Sequence, residues 1–125
     1  METITLSPIN IFFCNTNKEM GLKGHCHFAE VILKFETYGE IGFPVFKNTV
    51  GEIENFLQFE LKLKGFAGTN EALGRMINKE LLDFDYSEAK KFGGSFGLKS
   101  TTLKVMGVSD ENNHSNGFAI YEFTN

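Results

Sequence analysis

The eighteen residues from Asn48 to Gly65, NTVGEIENFLQFELKLKG, decide the fold class of this chain. Thr49 and Glu52 have the spacing of a capping box, in which the two side chains satisfy two backbone N–H groups at the start of a helix. Apolar residues recur at helical spacing and share one face: Val50, Ile53, Leu57 and Leu61. The stretch therefore predicts one main helix, over about residues 49–63.

A strand is the competing interpretation of the second half of this stretch. Leu57, Phe59, Leu61 and Leu63 alternate with polar residues, as they would on a half-buried strand. The capping box favours the helix, and so does the absence of β-branched residues from this half. If the stretch were a strand, the domain would be nearly all-β.

Strands are predicted on both sides of the helix. Residues 3–13 alternate, with a break at Pro8, which lacks a donor for the sheet ladder. Residues 27–37, HFAEVILKFET, place four apolar residues on one face of an antiparallel strand: Ala29, Val31, Leu33 and Phe35. Residues 41–46, IGFPVF, are predicted to return as a second strand.

A possible second, short helix is predicted over about residues 70–79, with Thr69 or Asn70 as its cap. Further strands are predicted at residues 80–86, 95–108 and 118–124. The whole pattern predicts an α+β fold, in which an antiparallel sheet of about six strands packs on one main helix. At 125 residues, we expect a single domain, 1–125.

Composition and charge exclude some classes of function. The net charge of −4 argues against a protein that binds nucleic acid by neutralising phosphates, and against an anionic membrane surface. It suits a basic protein partner. The N-terminal sequence lacks the pattern of a signal peptide, no apolar run spans a membrane, and two cysteines do not form a secreted disulfide framework. We expect a cytoplasmic protein.

Histidine and cysteine form the first candidate for chemistry. His25 and His27 flank Cys26, and Cys14, which follows the predicted strand at residues 3–13, could lie on a neighbouring strand. Nitrogen and sulfur ligands suit zinc, but the spacing matches no standard zinc pattern. Neighbours on a strand point to opposite faces, so Cys26 is poorly placed for activation by the flanking histidines. We therefore predict neither a metal nor a cofactor.

Acidic residues form the second candidate. Glu80, Asp83, Asp85 and Glu88 lie close together, and Asp110 and Glu111 lie in the most polar stretch of the chain. The partner-binding residues that we predict, by charge complementarity with a basic protein, are Asp83, Asp85, Asp110 and Glu111.

The order of the elements resembles the small immunity proteins of bacterial toxin systems, in particular the WapI-like group. The segments that carry the resemblance run from about Cys26 to the end of the chain: HFAEVILKFETYGEIGFPVF, TVGEIENFLQFELKL, GGSFGLKSTTLKVMGVSD and GFAIYEFTN. The resemblance implies a protein that is not an enzyme and that inhibits a cognate toxin by blocking its active site or substrate surface. Those toxins are often basic.

Two alternatives to an immunity protein stay open. The 14 phenylalanines allow a small-ligand-binding domain with a Phe-rich pocket, which needs an apolar cavity larger than about 300 Å³. A Cys/His-dependent enzyme is the other alternative, and it needs Cys14 or Cys26 within hydrogen-bonding reach of a histidine. The oligomeric state cannot be predicted from the sequence.

Overall fold

The computed structural model describes residues 2–17, 22–39, 42–61, 64–86, 91, 94–109 and 115–125. The strands are β1 (Glu2–Thr5), β2 (Ile9–Asn17), β3 (Leu22–Tyr38), β4 (Lys64–Ala67), β5 (Ser95–Ser109) and β6 (Ser115–Thr124). The helices are α1 (Phe43–Asn55), which continues as a π-helical turn (Phe56–Glu60), and α2 (Asn70–Leu82). This arrangement confirms the predicted α+β class, with two helices on a six-stranded sheet.

The long strand β3 lies at the centre of the sheet. The order is β4-β2-β3-β5-β6, and all pairs are antiparallel except β2 with β4. Strands β1 and β2 pair with successive parts of the same side of β3, residues 34–37 and 22–31. Pro8 lies in the break between β1 and β2, as predicted, where its missing N–H costs no ladder bond.

One face of the sheet packs against the helices and forms the core. The fully buried side chains come from alternate strand positions and from one side of each helix: Phe13, Val31, Leu33, Phe35, Leu103, Val105, Ile53, Leu57, Leu73, Ile77 and Leu81. Each such residue contributes about 1.5–3 kcal/mol of transfer free energy. No described helix packs on the other face of the sheet, which we call the open face.

The main helix begins earlier than its sequence pattern predicts. The predicted strand at residues 41–46 is wrong, because α1 starts at Phe43 with Gly42 as its N-cap. Pro44 lies in the first turn, where a missing N–H loses no intrahelical bond. Thr49 is therefore inside the helix and does not cap it. Its buried hydroxyl donates to the carbonyl oxygen of Val45 at 2.8 Å.

The helical interpretation of the opening stretch is confirmed through Glu60. The chain does not change to a strand at Phe56 but widens into the π-helical turn, in which Leu57 is buried and Phe59 is 73% exposed. Residues 62–63 lie outside the described part of the chain. The fold therefore keeps the helix on which the α+β prediction depended.

The second helix is confirmed, and it is longer than predicted. Thr69 caps it, because its hydroxyl oxygen accepts from the backbone N–H of Ala72 at 3.1 Å. The predicted strand at residues 80–86 is wrong, since α2 continues to Leu82 and residues 83–86 form no strand. Leu81 continues the buried face of the helix, and packing of that face overrides the local alternation.

Gly74 allows α2 to lie close to the sheet. A Cβ atom added at this position would lie 2.5 Å from Cε2 of Phe123, which is too close for any undisturbed contact. A Cβ added at Gly51 of α1 would meet no atom within 4 Å. The two helix glycines therefore form a matched pair.

We predict opposite effects of alanine at these two glycines. Gly51→Ala should raise the free energy of unfolding by about 0.5–1 kcal/mol, because alanine is the better helix former. Gly74→Ala should lower it by about 1 kcal/mol, because overpacking against Phe123 exceeds the gain in helix propensity. Urea denaturation of both variants measures the difference. An equal gain at both positions would show that the Phe123 ring moves aside at little cost, and would contradict the requirement for glycine at position 74.

Tyr86 closes one end of the core. Its ring packs edge-on against Phe35 and parallel to Phe96, with ring centroids 5.6 and 5.9 Å apart. Its hydroxyl donates to the carbonyl oxygen of Leu81 at 2.7 Å. Burial raises the pKa of the Tyr86 phenol well above its ordinary value of about 10.

We predict that Tyr86 makes the stability of the protein fall in alkali. Because the folded state holds the phenol proton more tightly, this contribution is complete below pH about 10 and is lost as the pH rises further. Tyr86→Phe should remove that loss and cost about 1 kcal/mol at neutral pH through the missing hydrogen bond. Urea unfolding from pH 8 to about 11 tests this. The exposed Tyr38→Phe is the control, and an unchanged alkaline profile in Tyr86→Phe would contradict the assignment.

Candidate functional site

Exposed aromatic rings lie in a row across one end of the open face. Phe12 of β2, Phe28 of β3 and Phe118 of β6 are 44%, 66% and 55% exposed, and we call them the aromatic row. Phe12 is opposite Phe28 in the sheet register, with ring centroids 5.0 Å apart. Phe118 is opposite Met106 of β5, so the three rings come from β2, β3 and β6, and β5 lies between the last two strands.

The alternation of the strands explains why these rings are exposed. Phe12 lies between the buried Ile11 and Phe13, and Phe28 precedes the buried Ala29. Each ring therefore occupies a position that points away from the core. A single exposed apolar residue needs no explanation, but several in one row are typical of an interaction surface.

Charged residues lie along one side of the aromatic row. Lys104 is opposite Glu30 in β3 and Ile120 in β6, and Ile120 is 52% exposed. The Nζ atom of Lys104 lies 4.3 Å from the centroid of the Phe118 ring, within the range of a cation–π interaction. Glu122 follows on the same side of β6. On this side the apolar row is bordered by charged residues, as the apolar centre of a protein interface usually is.

The other end of the open face is polar. Counting along β3, Lys34 lies about 20 Å from Phe28. A pocket of about 230 Å³ opens there, and its lining is made of lysine, glutamate and hydroxyl side chains: Thr3, Lys34, Glu36, Lys99, Ser100 and Thr124. One face of the sheet therefore offers an aromatic surface and a polar pocket at opposite ends.

The predicted docking acids do not join the aromatic row. Asp83 is the C-cap of α2, and its backbone N–H donates to the carbonyl oxygen of Lys79. Asp83 and Asp85 are exposed, but they follow α2 on the helix-bearing side of the sheet. Asp110 and Glu111 lie outside the described residues. Of the four, the structure places only Asp83 and Asp85, and it places them away from the exposed rings.

The histidine and cysteine residues are adjacent on β2 and β3. In the register, Cys14 is opposite Cys26 and Asn15 is opposite His25. His27 is half-buried, and its Nδ1 atom lies 3.3 Å from the carbonyl oxygen of Met106. The side chains of the two cysteines and of His25 are not among those described. Within the described part of the chain, no three His, Cys, Asp or Glu side chains are grouped to hold a metal ion.

A groove along α1 bears on the small-ligand hypothesis. It has a volume of about 380 Å³ and opens on the helix surface rather than in the core. Of the five described residues that line it, one is a phenylalanine. The five are Phe46, Lys47, Val50, Gly51 and Glu54. Phe13 and Phe35, in contrast, are fully buried by their neighbours. A Phe-rich interior pocket stays a hypothesis.

Comparison with known proteins gives no family. No family model matches the chain, and no curated protein matches its sequence. Three chains of solved structures match. One is 6-pyruvoyl tetrahydropterin synthase from Plasmodium falciparum, at 16% identity over 98% of both chains, with a TM-score of 0.44.

This comparison corrects one prediction. The expectation that the chain is not an enzyme is contradicted, because 6-pyruvoyl tetrahydropterin synthase, which matches along nearly the whole chain, is an enzyme. At this identity and TM-score the likeness assigns no activity to the present chain. Separately, none of the described helices has the length and apolar character needed to cross a membrane.

Proposed function

We propose that this chain is a protein-binding inhibitor, and specifically an immunity protein that neutralises a bacterial toxin by covering its active site or substrate surface. The observation that carries the proposal is the aromatic row of Phe12, Phe28 and Phe118 on the open face. Aromatic residues dominate the binding energy of protein interfaces because they bury a large area and have few rotatable bonds.

The position of the row favours binding to another protein. Its rings project from neighbouring strands of one hydrogen-bonded sheet, so their spacing is set before the partner arrives. Preorganisation of this kind lowers the entropic cost of association. A row spread across several strands also fits a broad protein surface better than it fits a small molecule, which prefers a concave site.

The charge of the chain favours a basic partner. Acidic residues outnumber basic ones by 16 to 12, and Glu30 lies two residues from Phe28 of the row on the same side of β3. Asp83 and Asp85, on the far side of the sheet, are proposed to speed the encounter through long-range attraction rather than to touch the partner. A cytoplasmic location belongs to the same proposal.

The first prediction from this proposal concerns the aromatic row. In a pull-down from the organism that encodes the chain, we expect recovery of a basic protein whose toxicity is relieved by co-expression. The variant with Phe28→Ser and Phe118→Ser should bind that protein at least about 30-fold more weakly, as expected when residues that dominate an interface are truncated. Isothermal titration calorimetry measures the change, and circular dichroism checks the fold of each variant.

The matched control for this prediction is Phe59→Ser. Phe59 is 73% exposed, more than any residue of the row, but it lies in the π-helical turn away from the open face. Its replacement should leave the affinity unchanged. If Phe59→Ser weakens binding as much as the double variant, or if neither does, the open face is not the docking surface.

The second prediction concerns the acids. Reversal of Asp83, Asp85, Asp110 and Glu111 to lysine should lower the association rate by about tenfold at low salt and flatten its dependence on ionic strength. The dissociation rate should change little, because these groups act before contact. Stopped-flow measurements at several salt concentrations separate the two rates, and an association rate that matches the parent chain would remove these acids from the proposal.

A further inference from the structure

We propose that the polar pocket at the far end of the open face is a binding site for a small carboxylate anion. The pocket lies about 20 Å from the aromatic row along β3, and its assignment does not depend on the proposed function.

A β-bulge in β5 builds this pocket. The register between β3 and β5 passes from Lys34 opposite Ser100 to Phe35 opposite Leu98, which leaves Lys99 as the extra residue. Leu98 and Thr101 are both buried in the core, so Lys99 and Ser100 lie consecutively on the open face. In a regular strand, one of these two side chains would point into the core; the bulge re-aims it.

Asn125 holds the bulge. Its backbone N–H donates to the carbonyl oxygen of Lys99 at 2.8 Å, and its side-chain Nδ2 lies 3.4 Å from the carbonyl oxygen of Leu98. Its amide also exchanges two hydrogen bonds with the amide of Asn78 in α2, at 2.9 and 3.0 Å. Asn78 Oδ1 accepts a further bond from the buried hydroxyl of Thr101. The backbone beneath the pocket is therefore fixed from the helix layer.

The lining has the chemistry of a site for a singly charged anion. Lys99 Nζ lies 3.2 Å from Glu36 Oε1, so its charge is largely balanced. Lys34 is exposed, and within the described part of the chain it has no ion-pair partner. The two ammonium groups of Lys34 and Lys99 and the carboxylate of Glu36 leave a net charge of one positive unit. The other lining residues carry hydroxyl groups that can donate hydrogen bonds: Thr3, Ser100 and Thr124.

The anion that fits this balance is a carboxylate rather than a phosphate. A carboxylate brings one negative charge, which Lys34 can neutralise while the hydroxyls donate to its oxygens. A phosphate dianion would bring a second charge close to Glu36, and that repulsion is unfavourable. The volume of about 230 Å³ suits a small molecule rather than a protein segment.

The test is a titration of the full chain followed by amide chemical shifts in ¹H–¹⁵N spectra. The probes are sodium acetate and inorganic phosphate, with sodium chloride at matched ionic strength as the reference. We expect acetate to produce saturable shifts at Lys34, Lys99, Ser100 and Thr124, with phosphate binding more weakly. Lys34→Gln should weaken the binding of acetate by about tenfold.

Lys104→Gln is the matched control, because Lys104 lies on the same face and the same sheet but beside Phe118. It should leave the affinity for acetate unchanged, and the spectra show at once whether each variant is folded. Shifts no larger than those in chloride, tighter binding of phosphate than of acetate, or equal losses in Lys34→Gln and Lys104→Gln would each overturn the proposal.

Discussion

The strict alternation of buried and outward residues along β3 is the constraint on which the rest of the structure depends. Ala29, Val31, Leu33 and Phe35 are all buried, at exposures of 1% or less. Three strands, β1, β2 and β5, pair with β3, and its buried side chains belong to the one core to which both helices contribute. Because side chains alternate with a period of two, a register slip of one residue would exchange the core with the open face. The positions of the core residues along β3 therefore also determine which of its residues lie on the open face.

Much of the fold follows from local patterns, and the errors have identifiable causes. The alternation in residues 27–37 and 95–108 marks two strands that the structure contains. Pro44 is compatible with a strand at a sheet edge and with the first turn of a helix. In the structure it lies in the first turn of α1, after the N-cap Gly42. Residues 80–86 alternate, but the packing of Leu81 on the core extends α2 through the first three of them.

The candidate site is harder to predict than the fold, for a physical reason. The sequence predicts that Phe12 and Phe28 point away from the core, because each is next in sequence to a predicted core residue and neighbours on a strand point to opposite faces. The meeting of these rings across strands depends on the register, which long-range packing sets. The pocket at Lys99 depends on one extra residue in β5, and no local pattern marks where a bulge will fall.

The proposed function assigns the attraction of a partner and its anchoring to different parts of the molecule. The exposed rings lie on the open face, whereas Asp83 and Asp85 follow α2 on the helix-bearing side of the sheet. Long-range electrostatic forces act over about 8–10 Å in physiological salt, so acids on one side of a small domain influence the approach of a partner more than its final contacts. In that proposal the contact energy comes from apolar residues, whose burial depends little on salt.

The hydrogen bonds between Asn125 and Asn78 link the residue after β6 to helix α2. They connect the outward-facing bulge at Lys99 to helix α2 on the opposite side of the sheet. Proteins open in cooperative units, and hydrogen exchange of backbone amides reports the free energy of each opening. An opening that detaches α2 from the sheet would break the bonds between Asn78 and Asn125, and the bulge would keep only the bonds that Asn125 makes to Lys99 and Leu98. The lifetime of the pocket is thereby tied to the local stability of a helix that does not line it.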